Sequence, residues 1–347
     1  MSRSTSRLVG AVALLTVVST LAACASSTKA TPLSINGAAS AAAHPEWSQY
    51  TFTIGDNGGD GSEALAKITG AFDNASYQVK FARFTYGPPL VQAAASGDID
   101  LGSVGDVPPI TGAAKEYGFK IVAVTRSLAP TQPAENIIVP KGSTLQTLAD
   151  LKGKKLAVPQ GSSAHGLALN ALKSVGLTPK DVQLVFLDPA AGATAFATGK
   201  VDAWSIWNPQ SALAVKAGAR ILAKGLPPID QTSNYYVASD KSLNDPAKRA
   251  ALTDLLKRLG GEFHWAVQHP DQYAQAISQE EGIPLADAKA VLTSLETRVT
   301  PVEAADIAAE QQLGDAFLEA KQITKKVDVQ SITDNLLPAG YDSSKLN

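Results

Sequence analysis

The spacing of apolar positions changes period repeatedly along this chain. Residues 50–54 (Tyr-Thr-Phe-Thr-Ile) alternate polar with apolar, as a half-buried strand does. Residues 62–72 carry helical spacing, with Ser62 placed to cap. A strand over 77–84 and a helix over 88–95 follow. Ile99-Asp100-Leu101 predicts a short strand before a glycine-rich turn, and Asp106 precedes a helix reaching to about residue 117. Residues 119–124 and 136–139 read as apolar strands. This alternation predicts an open α/β sheet.

The pattern then restarts. Strands are predicted at 155–158, 182–187, 201–206 and 220–223, with helices at 164–175, 190–197 and 209–217 between them. Gly176 and Gly199 stop two of those helices. Another strand is predicted at 234–238, after Pro227-Pro228. From Pro246 onward the spacing is almost wholly helical. Leu252, Leu255, Leu256, Leu259, Phe263, Ala266 and Val267 fall at helical intervals within 247–267, and shorter helices are predicted near 270–280, 285–297 and 302–320. Two α/β modules joined by extended segments near 138–142 and 229–236 predict two lobes with a cleft between them and hinge closure about the two crossings.

Composition narrows the function. The 347 residues carry a net charge of −2, with no basic excess, which argues against a nucleic-acid surface or a polybasic membrane patch. A hydrophobic content of 45% suits a globular body with a full core. Ahead of that body, Arg3 and Arg7 precede an apolar run at 8–18, then Leu21-Ala22-Ala23-Cys24. This is the layout of a secretory signal, and the run is short for a spanning helix, which needs about 20 residues. The last four residues also resemble a bacterial lipobox. That resemblance implies removal of residues 1–23 and a membrane anchor of acyl chains on Cys24. A plain signal with an incidental Cys is the alternative. Cys24 is the only Cys, which excludes an intramolecular disulfide framework and a multi-Cys zinc site. Residues 24–49, rich in Ala, Ser and Thr, predict a flexible tether with a reach on the order of 25–30 Å.

Four stretches carry a wider resemblance. They are 97–109 (Gly-Asp-Ile-Asp-Leu-Gly-Ser-Val-Gly-Asp-Val-Pro-Pro), 148–165 (Leu-Ala-Asp-Leu-Lys-Gly-Lys-Lys-Leu-Ala-Val-Pro-Gln-Gly-Ser-Ser-Ala-His), 199–209 (Gly-Lys-Val-Asp-Ala-Trp-Ser-Ile-Trp-Asn-Pro) and 234–239 (Asn-Tyr-Tyr-Val-Ala-Ser). Over most of 50–300 the chain resembles the substrate-binding proteins of ABC importers for aliphatic sulfonates, taurine and nitrate, the sulfonate branch most of all. The resemblance implies a type II periplasmic-binding-protein fold, with lobe I at 50–138 plus 235–347 and lobe II at 139–234. It implies capture of a small organic anion in the interlobe cleft, an aliphatic sulfonate first, and delivery to a permease and ATPase at the outer face of the cell membrane. Taurine, nitrate, a carboxylate or a sulfate ester is the alternative ligand, and a ligand sensor the alternative role. A monomer without cofactor or metal is expected. Two departures stand out. Such proteins often carry Gln or another amide soon after the first strand, whereas here the loop at 55–61, which holds the candidate contact Asn57, is rich in Gly and Asp, whose carboxylates would repel an anion or contact a cationic part of a ligand. Asn208 stands where the family usually has Asp.

An anion buried in a closed cleft must be matched by donors. Helix N-termini supply them, and two junctions qualify: Ser103 to Asp106, and Gly161-Ser162-Ser163 before the apolar helix. Ser103, Ser162 and Ser163 are candidate donors; ordinary N-caps at Asp106 and Ser163 are the competing reading. Trp207 is a candidate wall for a ligand tail, and Trp204 a weaker one because it ends an apolar strand; both could be core. His165 could donate to an oxyanion or be structural. Arg126 follows the strand at 119–124, where strand ends face the cleft, and its fork suits a sulfonate; a surface role is the alternative.

Catalysis is not expected. Residues 161–165 nearly match the nucleophile elbow Gly-x-Ser-x-Gly but end in His. Ser163 and His165, two apart on a helix, do not face each other. His264 and His269 are five apart, unlike a helical metal pair.

Overall fold

In the computed structural model, which describes residues 44–58, 61–230 and 233–346, the two modules are two sheets with helices against them. The chain runs β1 (Thr51–Asp56), α1 (Ser62–Thr69), β2 (Gln78–Arg83), α2 (Gly87–Ser96), β3 (Leu101–Gly105), α3 (Val107–Ala113) and β4 (Phe119–Ser127). It crosses to β5 (Glu135–Val139), β6 (Lys155–Val158), α4 (Ser163–Ser174), β7 (Gln183–Phe186), α5 (Pro189–Ala197), β8 (Ala203–Trp207), α6 (Gln210–Lys216) and β9 (Arg220–Lys224). It returns through β10 (Ser233–Ser239) and ends in α7 (Asp240–Leu243), α8 (Pro246–Gln268), α9 (Pro270–Glu281), α10 (Leu285–Leu295), β11 (Thr297–Thr300) and α11 (Ala304–Glu319).

The first sheet has the order β11-β4-β10-β3-β1-β2 and the second β7-β6-β8-β5-β9. From the β2 and β7 edges both follow one scheme: second strand, first, third, a strand arriving from the other sheet, then fourth. β1 pairs parallel with β2 and β3, and β6 with β7 and β8. Such pairs need crossover helices, which the βα alternation provides. The arriving strands β10 and β5 run antiparallel to both neighbours. Their first residues therefore lie at the edge where the parallel strands end. In open α/β sheets ligands bind at that carboxyl edge.

Each sheet has its own core. Phe52 and Ile54 of β1 pack with Leu65 of α1 and with Leu255, Leu256 and Leu259 of α8. Leu156 and Val158 of β6 pack with Leu167, Ala168 and Leu172 of α4. α8 starts with Pro246 at its first position and an Asp245 carboxylate that accepts from the N–H groups of Ala247 and Lys248. Its apolar stripe is buried, so Leu256→Ala would remove about 2–5 kcal/mol.

Several boundaries differ from the sequence expectation. The first crossing lies at 128–134 rather than 138–142, because β5 already belongs to the second sheet. Residues 135–138 therefore sit with the second module, not with lobe I. Pro130 and Pro133 lack the N–H that a ladder needs, so the chain leaves sheet pairing there. Gly102 to Gly105 is strand, not turn, since β10 pairs along it. β11 was missed inside a stretch that reads as helical. Residues 44–49, expected in the tether, include a buried Trp47 whose ring stacks on His44 at 3.8 Å. Cys24 and the signal segment lie outside the described residues.

Candidate ligand-binding site

A cavity of about 140 Å³ lies where the strand ends of both sheets meet. The first sheet contributes Asn57 after β1, Ser103, Gly105 and Asp106 at the end of β3, Ser127 at the end of β4 and Asn234 at the start of β10. The second contributes Glu135 at the start of β5, Ser162 and Ser163 before and at the start of α4, and Trp207 and Asn208 at the end of β8. Asp230, in the second crossing, also lines it. Two glycines let the walls approach. A Cβ on Gly105 would sit 2.8 Å from the Ser163 Cβ, closer than side chains tolerate. Gly161 has φ +73°, a left-handed backbone that glycine adopts without strain, and this turn delivers Ser162 and Ser163 to the cavity.

Six of the eight predicted ligand contacts line this cavity: Asn57, Ser103, Asp106, Ser162, Ser163 and Trp207. The two serine hydroxyls are already engaged as donors. Ser162 Oγ donates to the Pro159 carbonyl at 2.7 Å, and Ser163 Oγ to Glu135 Oε2 at 2.8 Å. At the start of α4 the His165 N–H donates to the Ser162 carbonyl at 2.9 Å, while the Ser163 and Ala164 N–H groups have no helix carbonyl one turn earlier. Asp106 makes no side-chain capping bond, against the ordinary-cap reading, and its Oδ1 is buried without a partner. Trp204 is core, tilted against Phe196 at 5.7 Å.

Arg126 and His165 do not reach the cavity. The Arg126 guanidinium holds Asp306 in a fork, at 2.5 and 2.6 Å, and its Nε donates to Thr300 at 3.1 Å. The α11 carboxylate takes the role a ligand would have had. His165 is 1% exposed, edge-on to Phe186 at 5.3 Å and Phe317 at 5.1 Å. Its Nδ1 accepts from the Gly161 N–H at 3.2 Å. Burial pushes its pKa down to about 4, so the ring stays neutral and braces the turn instead of meeting an anion.

Several lining residues escaped the sequence reading, among them Glu135, Asp230 and Asn234. Glu135 was the most visible of them, a charged residue directly before the apolar run Asn-Ile-Ile-Val. Burial drives its carboxyl well above the usual carboxylate range, and the charges of Asp230 and Asp106 push it further, against the opposing bond from Ser163. Asp106 is raised for the same reasons, burial first and the Asp230 charge second. Behind it, Glu310 is raised by burial and then by Asp106. Among the described residues, no Lys, Arg or His lines the cavity, and no cluster of His, Cys, Asp and Glu could hold a metal ion.

The sequence pattern of the NMT1/THI5-like family matches residues 65–273. The chain belongs to the NMT1/THI5-like family. A protein of Escherichia coli (strain K12) named as an aliphatic sulfonates-binding protein is 35% identical to this family member over 259 residues, covering 73% of this chain and 78% of the relative. A protein of the same name from Bacillus subtilis (strain 168) is 30% identical over 266 residues, covering 76% and 79%. Among solved structures, the alkanesulfonate-binding protein SsuA from Xanthomonas axonopodis pv. citri bound to MOPS superposes with a TM-score of 0.76 at 32% identity, covering 82% of this chain and 98% of that one. The fold of this family member is thus that of the periplasmic binding proteins, with the cavity between two sheets and two crossings.

Proposed function

We propose that this chain is the extracytoplasmic solute-binding component of an ABC importer and that it captures a small organic sulfonate. One observation carries the reading. The cavity is assembled from strand ends of both sheets, in a chain that shares its fold and 32% of aligned residues with an alkanesulfonate-binding protein. The first N–H groups of α4 and the amides of Asn57 and Asn234 hold the sulfonate oxygens, and the Trp207 ring covers the tail. The segments at 128–134 and 225–230 act as the hinge, so that ligand is enclosed on closure and presented to a permease and ATPase. The role is binding, as it is for the named relatives, rather than catalysis.

A thermal-shift and calorimetry panel of alkanesulfonates, aminosulfonates, nitrate, sulfate esters and carboxylates tests the ligand. A sulfonate at 100 times its Kd adds about 2.7 kcal/mol of stability. A clear shift with a carboxylate or nitrate and none with any sulfonate would reject it. We further propose that Cys24 carries the lipid that keeps a monomeric body near its permease. Cys24→Ala should move the protein from the membrane to the soluble fraction; unchanged membrane retention and mobility would reject the anchor.

A further inference from the structure

The net charge of −2 averages over an uneven distribution. Residues 135–230, which build the second sheet and its helices, hold ten Lys and Arg against six Asp and Glu. Two of those six, Glu135 and Asp230, line the cavity. The lysines gather at the opposite edge. Lys152, Lys154 and Lys155 precede or open β6, Lys180 precedes β7, Lys200 precedes β8, and Lys141 follows β5, which runs antiparallel to β8. All six are exposed. They share the edge where the parallel strands begin, and backbone bonds hold their loops side by side. The Gly153 N–H donates to the Asp181 carbonyl at 2.7 Å, the Gln183 N–H to the Lys154 carbonyl at 2.8 Å and the Asp202 N–H to the Lys155 carbonyl at 2.9 Å. Asp150, Asp181 and Asp202 lie at this edge too, but backbone groups hold their carboxylates. Asp150 accepts from the Gln146 and Thr147 N–H groups, Asp181 from the Thr178 N–H and hydroxyl, and Asp202 from the Lys155 N–H. Among the described residues none of the six lysines makes an ion pair. The pairs this segment does make, Lys173 to Glu319 and Lys216 to Asp287, reach across to α11 and α10.

We propose that this lysine edge rests on the anionic phospholipid headgroups of the membrane. Composition argued against a polybasic patch only because it sums over the whole chain. The edge spans four neighbouring strands, β7, β6, β8 and β5, a front about 15 Å wide. A protein partner is usually met with Tyr, Trp and Arg, and Lys is depleted at such interfaces. Six lysines on flexible stems, each a compact, strongly hydrated charge, suit a fluid surface of mobile phosphates instead. The position of the edge gives the contact a use. The chain enters the body at the corresponding end of the first sheet, where Trp47, ahead of β1, lies 6.3 Å from Tyr77, ahead of β2. A lipid on Cys24 tethers that end, and the lysine edge holds the other. The body then lies along the membrane with the cavity between two points of attachment, rather than swinging about one. The orientation rests on the Cys24 reading above; the lysine contact does not.

The test is co-sedimentation of the purified Cys24→Ala chain, which carries no lipid, with vesicles of phosphatidylcholine alone or with about 30% phosphatidylglycerol. Partition onto the acidic vesicles should exceed that onto the neutral ones at least about tenfold at about 50 mM NaCl, and fall to within about twofold at about 300 mM, because salt screens exposed charges. Reversing four lysines together (Lys152→Glu, Lys154→Glu, Lys180→Glu and Lys200→Glu) should abolish the excess. Neutralising the same four to Gln should remove most of it, which keeps the test open if the reversal impairs folding. Reversing four exposed lysines of the first module, Lys80, Lys115, Lys321 and Lys326, changes the net charge equally and should leave at least about half of the excess. Equal binding to both kinds of vesicle overturns the proposal. So does an excess that survives the Gln variant, or one that the first-module reversals abolish. Binding to poly-glutamate that exceeds binding to acidic vesicles of equal charge would assign the edge to an acidic protein face and overturn the lipid partner. Failure on any of these counts leaves the Cys24 anchor standing, since fractionation of Cys24→Ala against wild type tests that separately.

Discussion

Two strand ends of the first sheet each carry a buried acidic group, Asp306 of α11 against the end of β4 and Asp106 after β3, and the two are treated differently. At the end of β4, Asp306 is gripped by both terminal nitrogens of Arg126, with Thr300 completing the guanidinium. At the end of β3, Asp106 faces Glu135 and Asp230 across a cavity with no basic residue in its lining. The first cluster is closed, because its charges are matched inside the chain. The second is open at Asp106, whose Oδ1 is buried without a partner. Position at a strand end made Arg126 look like a ligand group, yet position says nothing about whether a partner is already present. The unmatched group marks the site better than the favourable one does.

The contrast can be broken most strongly at Arg126. Arg126→Ala leaves Asp306 buried without its cation and should lower the unfolding free energy by about 3 kcal/mol, the low end for a broken pair because the Arg126 side chain keeps 23% of its surface exposed. Ligand affinity should stay within about twofold of wild type. A tenfold loss of affinity with unchanged stability would put Arg126 back in the site.

His165 gives an effect of similar size through pH. Its folded pKa, about 4, lies below the ordinary 6.5, so its contribution is complete above pH 6.5 and is lost as pH falls toward 4. The difference corresponds to about 3 kcal/mol. Denaturant titrations from pH 7 to pH 4 should show a decline that His165→Gln flattens; a parallel decline in the variant would assign the loss to other groups.

The carboxylates act with the opposite sign. Asp106, Glu135 and Glu310 are raised, so their contribution is present at acid pH and is lost as pH rises through their folded values. Ligand-free Glu135→Gln should gain about 1–2 kcal/mol over wild type at pH 8, and less at pH 5. A loss of stability at pH 8 would mean that the Glu135 charge is already matched, which removes the contrast with Asp306. The smallest effects are at the walls. Trp207→Ala should weaken ligand binding about tenfold and Ser163→Ala about fivefold, with ligand-free melting within about 2 °C of wild type. Full affinity in both would move the ligand elsewhere.

Much of this could be read before any coordinates. Periodicity located nearly every helix and strand, because apolar spacing reports the face an element buries. α8 is the clearest case: Leu252, Leu255, Leu256, Leu259 and Phe263 were visible as a stripe and are all buried. β11 was not visible, since its four residues, Thr-Arg-Val-Thr, carry no period of their own and become a strand only by pairing with β4. Ser162, Ser163 and Trp207, which line the cavity, were legible because Gly-Ser-Ser and a Trp after an apolar strand have chemistry that is local. Glu135 and Asp230 were not, because they lie 95 residues apart and meet only where the two crossings bring them together.

The sequence alone therefore determined the class of fold, the sites where the chain turns toward the cleft, and the residue types available there. All of these follow from neighbours within a few positions. Only the tertiary structure decided which charges are matched. It gave Arg126 to Asp306, sealed His165 between Phe186 and Phe317, and left Asp106 with an unpaired oxygen beside two further carboxylates. Charge matching and burial depend on distances across the fold, and apolar spacing along a chain does not encode them.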